Sequence, residues 1–265
     1  MGHFYHKLDD GAIKSRHYTP YAKPRFDGER EILRASTISD LRKWLKNGEN
    51  CAPSVTTIQD VLAKPALVNW VANKYIDKAY ELNPSNYQSV SLWNDAVRYK
   101  ADTEMEQAPK AGTDFHKLME DYVYKVFIVN TKEDERMLSI CQDVSNLILE
   151  KTGISDEHWR PEVNIFSDMG YAGQADLVIG NDWVIDYKTK ETKEKFKPGK
   201  MHFDNHAEQL SAYAMEISPK CRCANIFVCL ETGELDWHEW KPEDLMKGFE
   251  VFTRCLEIYQ IKNKL

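Results

Sequence analysis

The sequence predicts an α/β (α+β) protein in which helices flank a central mixed β-sheet. Apolar residues recur at helical spacing through most of residues 53–152, and from 162 to 189 they alternate with a period of two. Helical periodicity then returns, followed by a hairpin pattern and a last helix. The predicted organisation is an extension over 1–50 and a single domain over 51–265, divided into a helical part (51–155) and a sheet with a closing helix (156–265).

Residues 1–50 are predicted to form a basic arm. They carry ten Lys or Arg against seven Asp or Glu, whereas the remaining chain carries 25 against 35. Sustained periodicity is confined to Ile38–Lys46, where Leu41, Trp44 and Leu45 share one face of a short predicted helix. The rest of the arm is expected either to pack on the body of the protein or to become ordered on a ligand.

Helices are predicted throughout the front of the larger domain. Ser54 begins a hydroxyl-rich helix start, and Pro65 divides the apolar pattern that follows into two consecutive helices. Gly112 is predicted to open a helix of its own, and Gly153 to end another. The expected ranges of the later helices are about 86–107, 112–129 and 132–152.

Short strands dominate the prediction for the next part of the chain. They cover Glu162–Phe166, Ala172–Ile179 and Trp183–Thr189, and turn residues separate them. A lysine-rich loop then leads to a helix near 204–217, a strand pair around Glu231–Glu234 and a helix that runs to about residue 262.

Composition excludes several classes of protein. Apolar residues make up 42% of the 265 residues, which excludes an intrinsically disordered chain, and no run of 18 apolar residues predicts a membrane span. The N-terminus shows neither the apolar stretch of a secretory signal nor a clear mitochondrial transit peptide, so a cytoplasmic protein is expected. The net charge of −7 disfavours coating of nucleic acid through bulk charge, but it permits local contacts.

The densest chemical pattern consists of Asp176, Asp186 and Lys188. Asp186 and Lys188 are two residues apart on a predicted strand, so their side chains point to the same face. Asp176 lies in the preceding strand, which a tight turn lays antiparallel beside the first. Buried charges are costly without partners, and two neighbouring carboxylates repel each other unless a divalent cation neutralises them.

This pattern fits a Mg²⁺ site built from Asp176, Asp186 and the backbone carbonyl of Tyr187, with Lys188 beside a water molecule on the metal. Such a site supplies what phosphodiester hydrolysis needs, namely a hydroxide, a Lewis acid and charge relief in the transition state. Taken alone, the D-x-K triplet also fits an Asp–Lys surface pair on an edge strand.

Other polar residues accompany this triplet. His116 and Glu120 are four residues apart on one helical face, and Gln209 and Tyr213 have the same spacing on a later helix. Glu162 begins the predicted strand that precedes the strand of Asp176. Each of these residues also fits a purely structural role. These roles are a core position for His116, a surface ion pair for Glu120, a solvated edge position for Glu162, and packing between sheet and helix for Gln209 and Tyr213.

The motifs have a recognisable order over about residues 53–215: Pro53-Ser-Val-Thr-Thr57, Gly112-Thr-x-x-His116, Gly173-Gln-Ala-Asp176, Val184-Ile-Asp186-Tyr-Lys188-Thr189 and Gln209-x-x-x-Tyr213. As a set they resemble the P-D…(D/E)-X-K nucleases of the RecB-type branch, and within it the mitochondrial genome maintenance exonucleases and their phage relatives. Ala175 departs from this pattern, since the family name has Pro there.

The resemblance implies a restriction-endonuclease-like core, a helical part that arches over the active site, and a Mg²⁺- or Mn²⁺-dependent deoxyribonuclease. A phage-encoded member would act in the cytoplasm of its host. The implied metal ligands are Asp176, Asp186 and His116, with Glu120 and Glu162 as further candidates. The implied catalytic residues are Asp176, Asp186, Lys188, Gln209 and Tyr213, and the implied DNA contacts are Ser54, Thr56 and Thr57.

The segment that follows Asp186 is rich in lysine. Six lysines and three acids lie between Asp186 and Lys200, which fits either a solvated mobile face or a loop that contacts phosphates. The loop residues expected to bind DNA are Lys190, Lys193, Lys195 and Lys197.

Cys221, Cys223 and Cys229, with Cys51 upstream, approach the spacing of iron–sulfur nucleases, but the first gap is one residue short. We therefore expect reduced structural cysteines and no iron–sulfur cluster.

The expected activity is exonucleolytic hydrolysis of DNA, with a preference for single strands or free ends, in replication, recombination or repair. Proteins of replication or recombination are the expected partners besides DNA. One alternative is a structure-selective or nonspecific endonuclease. Another is a non-catalytic DNA-binding accessory factor that has kept the nuclease fold.

Overall fold

A computed structural model describes residues 2–27 and 30–265, apart from the side chains of residues 66 and 106–111. The helices are α1 (Ile38–Lys46), α2 (Val55–Gln59), α3 (Pro65–Glu81), α4 (Val90–Val123), α5 (Lys132–Thr152), α6 (Asp204–Ile217) and α7 (Pro242–Asn263). The strands are β1 (Phe4–Lys7), β2 (Ile13–Ser15), β3 (Tyr18–Pro20), β4 (Phe26–Asp27), β5 (Arg30–Glu31), β6 (Leu33–Ala35), β7 (Cys51–Pro53), β8 (Trp159–Ser167), β9 (Tyr171–Ile179), β10 (Trp183–Lys190), β11 (Arg222–Cys229) and β12 (Leu235–Glu239). Within the described part of the chain, no helix has the length and apolar character needed to cross a bilayer.

The central sheet has the strand order β12-β11-β10-β9-β8. Neighbouring strands are antiparallel except β10 and β11, which run parallel. Parallel neighbours need a crossover connection, and the segment between these two strands contains α6. The predicted α+β class with one mixed sheet, the strand pair around Glu231–Glu234 and the helix over 204–217 are thereby confirmed.

Helices cover both faces of this sheet. Val184 belongs to an apolar layer that includes residues of α6 and α7, whereas Ile185 belongs to a layer that includes residues of α4 and α5. Successive side chains of a strand alternate between the two faces. Asp186 and Lys188 are therefore on the α6 face of β10.

Local sequence signals set several helix ends as predicted. Pro65 occupies the first turn of α3, directly after the short helix α2. Thr131 and Asp134 form a reciprocal capping box at the start of α5, and Gly153 ends that helix in the left-handed conformation with φ +69°. These signals act over a few residues, which makes them legible in the sequence.

The predicted division at Gly112 is wrong, because α4 continues through this residue and ends at Val123, before the expected end at 129. Glycine weakens a helix by about 1 kcal/mol relative to alanine. Here it permits a close approach to the sheet, since a Cβ on Gly112 would lie 3.3 Å from Thr189 Oγ1. The glycine thus marks a contact between α4 and β10 and not a helix start.

Short strands attach the N-terminal extension to the body. In a second sheet β1 lies between β2 and β7, so that residues 4–6 pair with residues 51–53. Phe4 packs there with Trp44 of α1, whose predicted bounds are confirmed. The sequence analysis found no strands in residues 1–50, because segments of two to four residues are too short to show a period of two.

Candidate active site

A cleft of about 680 Å³ lies beside the point where β9 and β10 separate. The two strands pair over Trp183–Ile185 and Leu177–Ile179, one residue short of Asp186 and Asp176. The backbone N–H of Tyr187 donates instead to Asp176 Oδ2 over 2.7 Å. A carboxylate therefore replaces the strand ladder here. Asp176 lines the cleft, whereas Asp186 is buried and is absent from the described lining.

His116 of α4 completes this corner of the cleft. Its Nδ1 lies 3.4 Å from Asp176 Oδ1, and its Nε2 lies 3.2 Å from the carbonyl oxygen of Tyr187. Burial by itself would lower the pKa of His116, but the charges of nearby acids, Asp176 foremost, raise it to about 9. The pKa of Asp176 is lowered despite burial, because His116, Lys188 and the Tyr187 N–H all favour the carboxylate. A positive charge is thus already favoured at this corner.

Asp186 lies deeper and is held through both of its oxygens. Lys188 Nζ donates to Oδ1 over 2.8 Å, and Asn225 Nδ2 donates to Oδ2 over 2.6 Å. Burial raises the pKa of Asp186 to about 6, even though Lys188 opposes the rise, and the charge of Asp176 adds to it. The pKa values of the two aspartates are therefore shifted in opposite directions, and a proton taken up by the pair goes to Asp186 first.

Asn225 and Trp240 are site residues that the sequence analysis missed. Asn225 is fully buried and is the direct register partner of Asp186 on the neighbouring strand. Trp240 Nε1 donates to Asn225 Oδ1 over 2.8 Å, which fixes the amide with its Nδ2 toward Asp186. A single amide within the apolar run Cys223–Cys229 was the available signal, but only the pairing of β10 with β11 reveals its partner.

Helix α6 carries Gln209 and Tyr213, which are four residues apart, and both side chains line the cleft. Gln209 Oε1 lies 3.5 Å from Lys188 Nζ, and Gln209 Nε2 lies 3.4 Å from the Tyr213 hydroxyl. A Cβ on Gly173 would lie only 2.5 Å from Tyr213 Cε1, so the tyrosine ring requires glycine at this position of β9. This contact accounts for the glycine in the motif that ends at Asp176.

Glu162 lies beside Asp176 with a strained backbone. Its φ of +51° is left-handed, a conformation that costs a non-glycine residue roughly 1–3 kcal/mol. Ligand atoms of Glu162, Asp176 and His116 all lie within 4.8 Å of one another. Burial raises the pKa of Glu162 to about 7, with a further contribution from Asp176. These three side chains form the most compact group of candidate ligands in the cleft.

The other predicted ligands and contacts lie toward the rim. Glu120 lines the cleft and forms a 2.9 Å ion pair with Lys117. Ser54 and Thr56 also line it, but the Ser54 hydroxyl caps α2 by accepting from the Thr57 N–H over 3.1 Å. His3, Tyr5 and Gln174 line the cleft without having been predicted.

The four candidate DNA contacts of the lysine-rich segment, Lys190, Lys193, Lys195 and Lys197, are absent from the described lining of the cleft, and the first of them is the last residue of β10. Lys193 pairs with Glu234 over 3.1 Å, and Lys195 pairs with Glu191 over 2.8 Å. Lys190 is half-buried, and burial together with other lysines lowers its pKa. Lys197 is exposed.

The six cysteines are buried free thiols distributed over several apolar layers. Cys51 packs with Phe4 and Trp44, Cys223 belongs to the layer of α6 and α7, and Cys229 packs with Phe196.

No family model and no curated protein matches the chain. Among solved structures, the crystal structure of SSO0001 is similar over 53% of this chain and 83% of that chain, with 15% identical residues and a TM-score of 0.26.

Proposed function

We propose that the chain is a metal-dependent DNA exonuclease of the P-D…(D/E)-X-K superfamily, with a restriction-endonuclease-like core. The observation that carries this proposal is the convergence of Asp176, Asp186 and Lys188 where β9 and β10 separate. Two acids in such an environment repel each other and lose hydration, which a purely structural site has no reason to maintain. A nuclease needs that arrangement to bind a cation next to a phosphate.

The donor set of the cleft fits Mg²⁺ or Mn²⁺. Asp176, Glu162 and His116 offer ligand atoms within 4.8 Å of one another, and the Tyr187 carbonyl oxygen, 3.2 Å from His116 Nε2, adds a further oxygen. Carboxylate and carbonyl oxygens are the ligands that Mg²⁺ and Mn²⁺ prefer. Asp186 is buried and accepts from Lys188 and Asn225, so it would exchange one of these contacts to bind the cation. When bound, a divalent cation supplies a Lewis acid for the phosphoryl oxygen and lowers the pKa of a water molecule. The opposite shifts of the pKa values of Asp176 and Asp186 support the same proposal, because cation binding would relieve the repulsion between the two acids.

Lys188 is the residue best placed to act on the phosphate. The charges of Asp186 and Asp176 raise its pKa in spite of burial, so its ammonium group stays protonated at neutral pH. Contacts with Asp186 and Gln209 restrict its rotation. A fixed ammonium group can orient the attacking water and offset the negative charge that develops in the transition state.

The walls of the cleft support a preference for single strands or free ends. Gly112, His116 and Lys117 of α4 line one part, while Tyr5 of β1 and Thr56 of α2 line another. Elements from both the helical part and the N-terminal extension thus border the acids. We infer that a flexible single strand reaches Lys188 between them more easily than a stiff duplex does.

The test is digestion of 5′- and 3′-labelled single- and double-stranded DNA, with a closed single-stranded circle alongside, in Mg²⁺, Mn²⁺ or EDTA. We expect metal-dependent loss of linear single strands and an intact circle. Asp186→Asn should abolish cleavage, whereas Asp143→Asn, a matched change at an exposed position on α5, should not. Cleavage of the circle would identify an endonuclease, and no hydrolysis of any substrate would favour the non-catalytic binding factor.

A further inference from the structure

A second group of metal-ligating side chains lies outside the cleft. Ligand atoms of His6, Glu49 and Cys51 all lie within 4.8 Å of one another. His6 and Cys51 are direct register partners on the paired strands β1 and β7. Glu49 follows Gly48, whose left-handed φ of +80° turns the chain toward β7. Two strands and a turn thus fix the three side chains, which limits the rearrangement that binding of a metal would require.

A cation from the protein already occupies this group. Arg16 Nη1 forms an ion pair with Glu49 and lies 3.4 Å from Cys51 Sγ. Its guanidinium group stacks over Trp44 at 4.0 Å. The imidazole of His6 has no hydrogen-bond partner among the described residues. The group therefore attracts positive charge and retains one uncommitted nitrogen ligand.

We propose that His6, Glu49 and Cys51 bind Zn²⁺ or a similar borderline transition metal, and that Arg16 leaves when the metal enters. Nitrogen, oxygen and sulfur are the donors of protein zinc sites, whereas Mg²⁺ prefers oxygen alone. Bonds of about 2.0–2.3 Å place tetrahedral ligand atoms roughly 3.3–3.8 Å apart. The three ligand atoms already lie within 4.8 Å of one another, so they need to approach by at most about 1.5 Å. The Cys51 thiol becomes a thiolate, its proton passes to solvent, and water takes the fourth position.

Strand β1 connects this site with the cleft. Side chains alternate along a strand, so His3 and Tyr5 face away from His6. Both His3 and Tyr5 line the cleft. A metal that joins His6 to Cys51 would fasten β1 to β7 and hold Tyr5 in the cleft wall. The site therefore stabilises the N-terminal extension, independently of any cation in the cleft.

Cobalt(II) is a selective probe of this site, because a thiolate–cobalt absorption band reports a sulfur ligand and no cysteine is among the described residues of the cleft lining. The full chain is titrated with cobalt in excess Mg²⁺. We expect one equivalent to produce the band and Zn²⁺ to remove it. Cys51→Ser should lose the band, and Cys141→Ser, a matched change at another buried cysteine, should keep it.

Two further variants keep the test decisive if Cys51→Ser fails to fold. His6→Gln should bind cobalt at least tenfold more weakly. Arg16→Gln should bind it about tenfold more tightly, equivalent to about 1.4 kcal/mol, because no cation then has to be displaced. A band that survives Cys51→Ser, or the absence of a band in both the wild type and Arg16→Gln, would overturn the proposal. Neither result involves DNA, so the nuclease proposal is judged separately.

Discussion

Lys188 and the lysines of the loop that follows belong to one segment but lie in different environments. The Lys188 side chain is 28% exposed and is held by Asp186 and Gln209. The side chains of Lys193 and Lys195 are 65% and 54% exposed, and each pairs with a surface glutamate. Water and salt screen such surface pairs, so they fix neither position nor charge strongly. Burial beside Asp186, and not the density of lysines, therefore distinguishes Lys188 as the candidate for the catalytic role that we propose.

Removing one lysine from each environment tests whether burial decides the role of a lysine. Lys188→Ala should reduce the rate of DNA cleavage by about 10²–10³-fold, the usual loss for one transition-state contact. Lys193→Ala should change the rate by less than about threefold, because its surface pair is screened. Initial rates on labelled single strands with saturating Mn²⁺ measure both. Equal rates for Lys188→Ala and the wild type would remove Lys188 from the mechanism.

A change at Asn225 tests whether the hydrogen bond that holds Asp186 contributes to metal binding. Asn225→Ala should weaken Mn²⁺ binding about 10–100-fold, as loss of a group that orients a ligand typically does. It should also lower the free energy of unfolding by about 1–3 kcal/mol, since Trp240 Nε1 loses its acceptor. Calorimetry and urea unfolding measure the two effects, with Asn146→Ala at an exposed position as control. Unchanged Mn²⁺ affinity in a less stable protein would limit Asn225 to a structural role.

Gly173 tests the contact that seats Tyr213 in the cleft. Gly173→Ala should lower the free energy of unfolding by about 1–3 kcal/mol, because the new methyl group overlaps the tyrosine ring. The same change in a Tyr213→Ala background should cost much less. Urea unfolding of the four proteins in this cycle isolates the coupling between the two sites. Equal costs in both backgrounds would show that the ring does not set the requirement for glycine.

The sequence allowed the local features to be predicted and left the long-range ones out. The bounds of α5 depend on Thr131 and Gly153, which act within a few residues of the helix ends. Asp176 and Asp186 were predicted to meet because a short turn joins their strands. Asn225 reaches the site through a parallel pairing across a helical crossover, and that register has no local signature.

Two errors of interpretation have the same origin. The sequence around Gly112 predicts a helix start, whereas the glycine reflects a contact of α4 with Thr189 on a distant strand. Tyr5 was missed because β1 joins the cleft through pairing with β7, some 45 residues away along the chain. In both cases the relevant partner is remote in sequence, so periodicity and spacing carry no information about it.

The acids and the histidine of the site should also make the stability of the protein depend on pH. Asp186, Glu162 and His116 have folded pKa values raised to about 6, 7 and 9. Each is raised above its unfolded value, so its stabilising contribution is complete at low pH and is lost as the pH rises through the folded pKa. In EDTA the free energy of unfolding should therefore fall by roughly 3–7 kcal/mol between about pH 4 and pH 9, less than the three shifts taken separately imply, because the groups interact.

Metal should reverse this trend. Mg²⁺ binds deprotonated ligands, so the stabilisation that it adds should grow over the same pH range. Asp176, whose pKa is lowered, contributes stability that is lost only as the pH falls below its usual titration range. Urea unfolding with Mg²⁺ or EDTA at three pH values measures the effect, and Asp186→Asn should flatten the part between about pH 4 and pH 6. A fall between about pH 4 and pH 6 that Asp186→Asn leaves unchanged would assign that part of the dependence to groups other than Asp186.

The smallest expected effect concerns the loop itself. If the loop contacts DNA phosphates, replacing Lys193, Lys195 and Lys197 together by Gln should weaken single-strand binding only a few-fold at moderate salt. The plot of log affinity against log salt should become shallower by about 0.7 for each phosphate contact removed. The cleavage rate at saturating DNA should stay unchanged, because Lys188 remains fixed by Asp186. Lys262→Gln on α7 is the matched surface control. An unchanged salt slope would leave the loop as a solvated surface, and all positive charge that acts on the phosphate would then have to come from the cleft.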